Sequence, residues 1–373
     1  MAPSRWLFLT TISAAVGITL TAAVAPFSAK VFITLCLLGI LLALRVGGRG
    51  FVFTVLVVAL FVGRTQHATP MAIPQPAWLI NSREVFVRGL TQAMPDQEAQ
   101  LGAGMLIGAT DGINNQTIKN FRTTGLSHVL AVSGSNLSII LAALTTLGVA
   151  LSRRSYALLT ILFAPVFTLF TGGEPSILRA AVMAIFAVGV RLCFRHVAGL
   201  NVLAAAVLFM LAVDPTLLWG SIGFQLSVAA TFGLIAFSGP LENALKRIHL
   251  PGSSLLAATL GATFATLPII LLTFQQLCII GPIANLVVVP LVPFIMAFVT
   301  VAGIVSLVFP MGAAVAGLAG WATLRFVEIV TTQVSKIPYA SITLSPIISG
   351  GIGVLLLLAL IFFFNDHVRP LFD

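Results

Sequence analysis

The chain has 373 residues, 59% of them hydrophobic and only 8% charged, with a mean hydropathy of +1.11. Soluble domains carry roughly 25% charged residues, so this composition excludes a water-soluble globular enzyme and sets the class as a polytopic membrane protein. The balance is basic, 19 Lys plus Arg against 10 Asp plus Glu; this suits nucleic acid, but it follows equally from positive residues held in cytoplasmic loops, and that second reading carries most of the weight.

Trp6–Ala25 reads as a first span behind Arg5. Ala23-Val-Ala25 has the form of a signal-peptidase site, yet more spans follow at once, so a retained helix is expected. Val31–Leu44, closed by Arg45 and Arg49, and Phe51–Val62 are the second and third spans, each needing about 20 residues to cross the hydrocarbon core. Arg64–Gly125 is the sizeable non-membrane segment. It opens on Pro70, Pro74 and Pro76 and continues with amphipathic pieces, one carrying Val85, Leu90 and Met94 and another Ile118 and Phe121. These predict interfacial helices rather than an independent domain. Gly125 stands where a C′ glycine ends the second piece.

Leu126–Leu151 is apolar and long enough to span, yet it holds His128, Ser133, Gly134, Ser135 and Asn136. In hydrocarbon every polar or broken backbone group needs a partner, so these residues belong against a cavity or a neighbouring helix. Gly134 is the natural break point. Ser135 or Asn136 then caps a half-helix whose free N–H groups and positive dipole end make an anion site at membrane depth. An unbroken span with its polar side chains bonded to neighbours explains the same residues, and on the residues alone the two readings are even.

Arg153-Arg154 follow, then spans at Tyr156–Thr171, Pro175–Cys193, Val197–Val213 and Trp219–Phe237. A short amphipathic link with Glu242, Lys246, Arg247 and His249 leads to Leu255–Phe274, to Leu277–Phe309 (interrupted by Pro282, Pro290 and Pro293), to Met311–Thr332 and to Ile347–Phe364. The expected fold is an all-α polytopic membrane protein of about twelve transmembrane helices, roughly 10 to 13, some discontinuous, with short interfacial helices. It groups into N-terminal spans (1–63), an extracytoplasmic loop (64–125), a core (126–310) and C-terminal spans (311–373). The Lys/Arg distribution puts both termini in the cytoplasm and the long loop outside. Reading Leu277–Phe309 as two passes would invert all that follows it.

Within the spans, Pro175 fits the first position of a helix and Glu174 suits its positive end. Arg179 then lies about 6 Å inside. It either snorkels to the interface or presents a bidentate guanidinium to phosphate, with Ser176 three residues before it. Arg325 and Glu328, three apart, share a helix face and account for each other as an ion pair. Ser221 with Gln225, and Ser227 with Thr231, share faces that interhelical hydrogen bonds explain. Thr259, Thr263 and Thr266 with Gly261, Ala262 and Ala265 read as close helix packing. Asn285, three residues after Pro282, is a pore candidate because the proline frees backbone carbonyls beside it. No Gly-x-x-x-x-Gly-Lys-[Ser/Thr] occurs, so the sequence shows no P-loop. The histidines are too scattered to suggest a metal site. Cys36, Cys193 and Cys278 lie in or beside apolar runs without a Cys-x-x-Cys, which predicts buried thiols without disulfides. No cofactor, metal or catalytic residue is expected.

The run Asn120-Phe-Arg-Thr-Thr-Gly-Leu-Ser-His-Val-Leu-Ala-Val-Ser-Gly134 resembles the signature of ComEC-type competence proteins, the inner-membrane channels for DNA uptake. Gly172-Gly-Glu-Pro-Ser-Ile-Leu-Arg-Ala-Ala181 and Asp214-Pro-Thr-Leu-Leu-Trp-Gly-Ser-Ile-Gly-Phe-Gln-Leu-Ser227 resemble later runs of that family, and Pro282-Ile-Ala-Asn285 with Pro290 a fourth, weaker one. One departure stands out: the family follows the Ser-Gly with an apolar residue and a histidine, where this chain has Ser135-Asn136. The resemblance implies a multi-pass channel in the inner (plasma) membrane, passing single-stranded DNA into the cytoplasm during natural transformation. It tips Arg179 towards function. The residues expected to line the path are His128, Ser133, Gly134, Ser135, Asn136, Glu174, Ser176, Arg179, Gln225, Ser227 and Asn285. Many relatives carry an OB-like domain and a metallo-β-lactamase-like domain; neither is found in this sequence, so a separate extracytoplasmic receptor or nuclease is expected as a partner. Each charge moved inward against 100 mV costs about 2.3 kcal/mol, so a cytoplasmic motor or strand-binding protein is expected too, alongside membrane lipid. A secondary transporter of a small anion is the alternative, and a membrane scaffold without a transported substrate a third reading.

Overall fold

The computed structural model describes residues 75–147, 152–194, 196–247, 249 and 252–363; the three spans expected before residue 64 lie outside them. Apart from one pair of short strands, the described chain is helical. In order it forms α1 (Ala77–Ala93), α2 (Asp96–Ile107), α3 (Asn115–Thr123), α4 (Ser127–Leu130), α5 (Gly134–Leu147), α6 (Arg153–Phe170), α7 (Pro175–Leu192) and α8 (Gly199–Val213). Then come α9 (Leu217–Gly220), α10 (Ile222–Arg247), α11 (Ser253–Phe274), β1 (Gln276–Cys278), α12 (Gly281–Val288), α13 (Val292–Val308), α14 (Ala313–Ser335), β2 (Ser341–Thr343) and α15 (Pro346–Phe363).

Six stretches among the described residues are long and apolar enough to cross a membrane: α6, α7, α10, α11, Gly281–Val308 and Pro310–Ser335. Three shorter apolar helices, Gly134–Ala143, Gly199–Val213 and Pro346–Leu356, accompany them. A multi-pass membrane protein fits this set. Two expected boundaries move. Trp219 lies in α9, and α10 starts only at Ile222, then runs to Arg247, absorbing the first part of the link predicted to be separate. Leu277 lies in β1, so the helix predicted from that residue begins at Gly281 and bends through a 3-10 turn at Val289–Leu291, where Pro290 interrupts the hydrogen-bond ladder.

β1 and β2 pair antiparallel, with Leu277 opposite Ile342. Paired strands lie at the same end of the molecule, so the chain between them crosses an even number of times. Gly281–Val308 and α14 supply two crossings when the former is a single bent pass. The strand pairing therefore fits a single bent pass for this stretch.

The largest core cluster joins α1 to α4 with α12, α13 and α14. At its centre lies α2, where Leu101, Met105, Leu106 and Ile107 are all buried. Gly102 lets α13 and α14 approach: a β-carbon there would stand 3.1 Å from both Val299 and Leu324 side chains. Two smaller clusters are built from α7, α8 and α10, around Met210 and Phe224, and from α5, α6 and α7, around Leu137 and Ile177. Helices α10 and α11 touch backbone to backbone at Gly233 and Gly261, where a β-carbon on Gly233 would be driven into the Gly261 carbonyl. This is small-residue packing of the kind the α11 sequence predicts.

Polar groups, buried on α2 and α3 and half-exposed at Arg325, tie the first cluster together. Arg325 Nη1 meets Glu328 Oε2 at 2.9 Å, as their spacing predicts, and also Glu98 Oε1 of α2 at 3.6 Å. Gln97 Nε2 donates to Glu328 Oε1. On α3, Asn120 Nδ2 donates to Thr332 Oγ1 at 3.2 Å. Helix α3 ends as predicted at Gly125, φ 73°: its N–H donates to the Arg122 carbonyl at 3.2 Å and that of Leu126 to Phe121 at 2.8 Å, a Schellman closure.

Candidate functional site

Helix α7 carries the centre of the site, and its start is fixed by local chemistry. Gly172 and Gly173 both take left-handed φ values, 92° and 73°, and their N–H groups close α6 by donating to Leu169 and Thr168. Glu174 then stands at the N-cap and Pro175 at the first helical position, as predicted. This places Arg179 on the second turn, where it is only 6% exposed. Its Nε donates to Ser227 Oγ of α10 at 2.8 Å, and Nη1 lies 3.0 Å from Met183 Sδ. Among the described residues no carboxylate lies within ion-pair distance of it; Glu174 is exposed and does not serve. Arg179 does not snorkel.

The predicted break is present. Helix α4 stops at Leu130, Ala131 is extended at φ −79°, ψ 135°, and a new helix starts at Gly134. Gly134 is already helical, so Ser133 occupies the cap position expected of Ser135 or Asn136. Ser133 Oγ and Ser135 Oγ share a hydrogen bond of 2.5 Å, and the Ser133 carbonyl accepts from Asn136 N at 3.0 Å. Asn136 turns inward, donating from Nδ2 to the Met105 carbonyl of α2 at 2.6 Å. Ser176 Oγ of α7 donates to the Val132 carbonyl at 3.0 Å, which satisfies one carbonyl that the break frees.

Close approach fixes the glycine. A β-carbon on Gly134 would stand 2.8 Å from Ala180 Cβ and 3.2 Å from Arg179 Nη2. The amino end of α5 and a buried guanidinium thus meet with no side chain between them. Ser133, Gly134, Ser135, Asn136, Ser176, Arg179 and Ser227 come together, with Glu174 at the rim. Gln225 does not join them: its Nε2 donates to the Leu218 carbonyl at 2.6 Å and closes the α9–α10 corner. That corner is held by Asp214 Oδ1, which accepts from Thr216 N at 2.9 Å, and by Ser221 Oγ, which caps Phe224 N at 3.1 Å. His128 is exposed on α4. Asn285 lies on the buried face of α12, between Ala284 and Val288, and its Oδ1 has no hydrogen-bond partner.

Two groups at the site carry no sequence signal. Met105 contributes only a backbone carbonyl. Arg83 of α1 donates from Nη2 to the Ile107 carbonyl at 3.3 Å, and its Nη1 stands 3.5 Å from where a Gly172 β-carbon would lie. Nothing around it in α1 distinguishes it from Arg88. The assembled site is rich in donors: a guanidinium, hydroxyls and a helix amino end. It suits an anion such as phosphate. Among the described residues no group of His, Cys, Asp or Glu is placed to hold a metal ion.

A bent, discontinuous-helix fold with a buried arginine at a half-helix amino end defines a multi-pass membrane protein built around a polar site inside its spans. Three sequence runs, each from a different part of the chain, meet at that arginine. The chain belongs to the competence protein family, whose model, described as Competence protein, matches residues 105–369. It is 27% identical over 231 residues to ComE operon protein 3 of Bacillus subtilis (strain 168), an alignment covering 61% of this chain and 29% of that protein. The matched region is thus less than a third of that relative's length. No solved structure matches the chain.

Proposed function

We propose that this chain forms a channel in the inner membrane through which single-stranded DNA enters the cytoplasm during natural transformation, without chemistry of its own. Membership of the competence protein family supports a role in DNA uptake. The observation that carries the channel reading is the Arg179 guanidinium. It is buried, lacks a carboxylate partner among the described residues and faces the amino end of α5 across Gly134. A buried charge without a counter-ion is costly by several kcal/mol, and two positive groups converging on one spot make an anionic visitor the compensating partner. A phosphodiester has that charge, and its oxygens fit a guanidinium fork. The twelve-helix count, with nine spans among or overlapping the described residues, belongs to this reading. So do a cytoplasmic motor, which the membrane potential requires, and a separate extracytoplasmic receptor or nuclease.

The test pairs internalised labelled DNA with the amount of protein in purified membranes. Arg179→Lys is expected to keep part of the uptake, because a point charge still attracts phosphate. Arg179→Gln is expected to lose nearly all uptake while surface-bound DNA stays at the parental level. Full uptake by an abundant Arg179→Gln protein would remove Arg179 from the path. Normal DNA uptake together with loss of a small anion's transport would favour the carrier alternative.

A further inference from the structure

A second basic site lies on the other side of α7. Helix α6 starts at Arg153 and α7 ends at Leu192, and the two run antiparallel, so their ends meet. There a cavity of about 800 Å³ opens, with Arg153 and Tyr156 of α6, Arg191 and Leu192 of α7, and Phe194 and His196 of the following turn among its walls. Among the described residues no acidic side chain lines it. The Arg153 guanidinium sits 5.3 Å from the centroid of the Phe194 ring. Phe194 is held at φ 54°, a left-handed conformation that a bulky residue adopts only at a cost, and its ring is 85% exposed. The strained turn thus holds an aromatic face against one of the two arginines at the mouth.

Three observations identify the ligand. The described wall offers two guanidiniums and a histidine, and no acid among the described residues, which selects a phosphate ester. Both helices are of membrane-spanning length, so the cavity at their joint ends lies at headgroup depth. Apolar groups, Val188, Leu192 and Val197, share the wall with the charges, as the junction of headgroup and acyl chain requires. The cavity also stands apart from Arg179: at about 100° per residue, Val188, Arg191 and Leu192 lie roughly 120 to 220° around α7 from it, and Arg191 about 18 Å along the axis. It opens on the opposite face of the helix from the proposed DNA path. The geometry points to a binding pocket for the phosphate headgroup of an anionic phospholipid, clasped between Arg153 and Arg191. Basic pockets between membrane helices hold such headgroups elsewhere.

The full chain, purified in detergent, is titrated with dioleoylphosphatidylglycerol or dioleoylphosphatidylcholine and bound lipid is counted by native mass spectrometry. The unaltered chain is expected to retain a phosphatidylglycerol that phosphatidylcholine does not replace. Arg153→Gln with Arg191→Gln is expected to weaken that retention by at least about tenfold, while the exposed Arg88→Gln leaves it unchanged. Two competitions use the unaltered chain and do not depend on how the variant folds. Glycerol phosphate, the headgroup chemistry without acyl chains, is expected to displace the lipid only at far higher concentration. A ten-residue oligodeoxythymidine is expected not to displace it. Displacement by glycerol phosphate at lipid-like concentration would assign the pocket to a soluble phosphate and overturn the lipid source. Displacement by the oligonucleotide would assign it to the nucleic acid, and equal retention by the double variant would remove the pocket.

Discussion

One methyl group is enough to probe the meeting of α5 and α7. Gly134→Ala places a carbon 2.8 Å from Ala180 Cβ and 3.2 Å from Arg179 Nη2, closer than packed carbons approach without movement. Overpacking of this kind costs about 1–3 kcal/mol, so the thermal midpoint in detergent is expected to fall and uptake to drop. Ala180→Gly in the same chain removes the opposing methyl, and the pair is expected to recover most of both losses because the two sites share one contact. Recovery of stability without recovery of uptake would assign Gly134 to the helix break itself. Asn136 offers a second test at this scale. Asn136→Ala leaves the Met105 carbonyl without its 2.6 Å donor in a buried setting, a loss of about 1–3 kcal/mol. Asn136→His, which offers a ring N–H in place of the amide, is expected to recover part of both midpoint and uptake relative to Asn136→Ala.

At the scale of elements, the close pair α10 and α11 is the most demanding fit. Gly233→Ala would push a methyl into the Gly261 carbonyl, and backbone cannot retreat as a flexible side chain does. The expected outcome is several degrees off the thermal midpoint and loss of protein from the membrane, with Gly239→Ala, which meets nothing within 4 Å, as the silent control. A Gly233→Ala protein as stable and abundant as the parent would refute the contact. How legible each element was in the sequence follows the same physics. The start of α7 was readable because Glu174 and Pro175 are position-specific, and the end of α3 because Gly125 needs a left-handed φ that the structure gives it. The break was readable as a possibility, since Gly134 among polar residues has few uses inside an apolar stretch. Helix α2 carries no such signal. It is buried on nearly every side, so Ala99, Leu101, Ala103 and Ile107 show no stripe, and Gly102 and Gly104 lower its helix propensity. Its partners α13 and α14 come from some two hundred residues later, and no local pattern announces them. The convergence of Gly134, Arg179 and Ser227 was likewise beyond local reading: each was named, but only the packing of α5, α7 and α10 brings them within contact.

At the scale of the whole molecule, contacts divide the described chain into two ends. A β-carbon on Gly125 would stand 3.2 Å from Gly281 Cα and 3.3 Å from Cys278 Cβ, and β1, which holds Cys278, pairs with β2. These groups therefore share one end, which the Lys/Arg distribution predicts to be the outer one. Arg153 and Arg191 line one cavity, so the basic ends of α6 and α7 share the other; Cys193, expected to be buried, stands exposed beside them because it caps α7 beyond its apolar stretch. In a Cys36→Ser background the two remaining thiols report the ends separately. On spheroplasts, a membrane-impermeant maleimide is expected to leave Cys193 unmodified until the membrane is permeabilised. Cys278 is expected to react from outside, but slowly. Burial pushes its thiol up, against a smaller opposing effect of a hydrogen bond from the Gly125 backbone, and the thiolate is the reactive form. A raised value means that less thiolate is present at neutral pH, so the rate at Cys278 should climb about tenfold per pH unit as pH rises towards that value. An exposed reference cysteine on the same side, with an ordinary pKa, should level off earlier. Modification of Cys193 on sealed spheroplasts would invert the orientation, and with it the direction in which Arg179 meets an incoming strand.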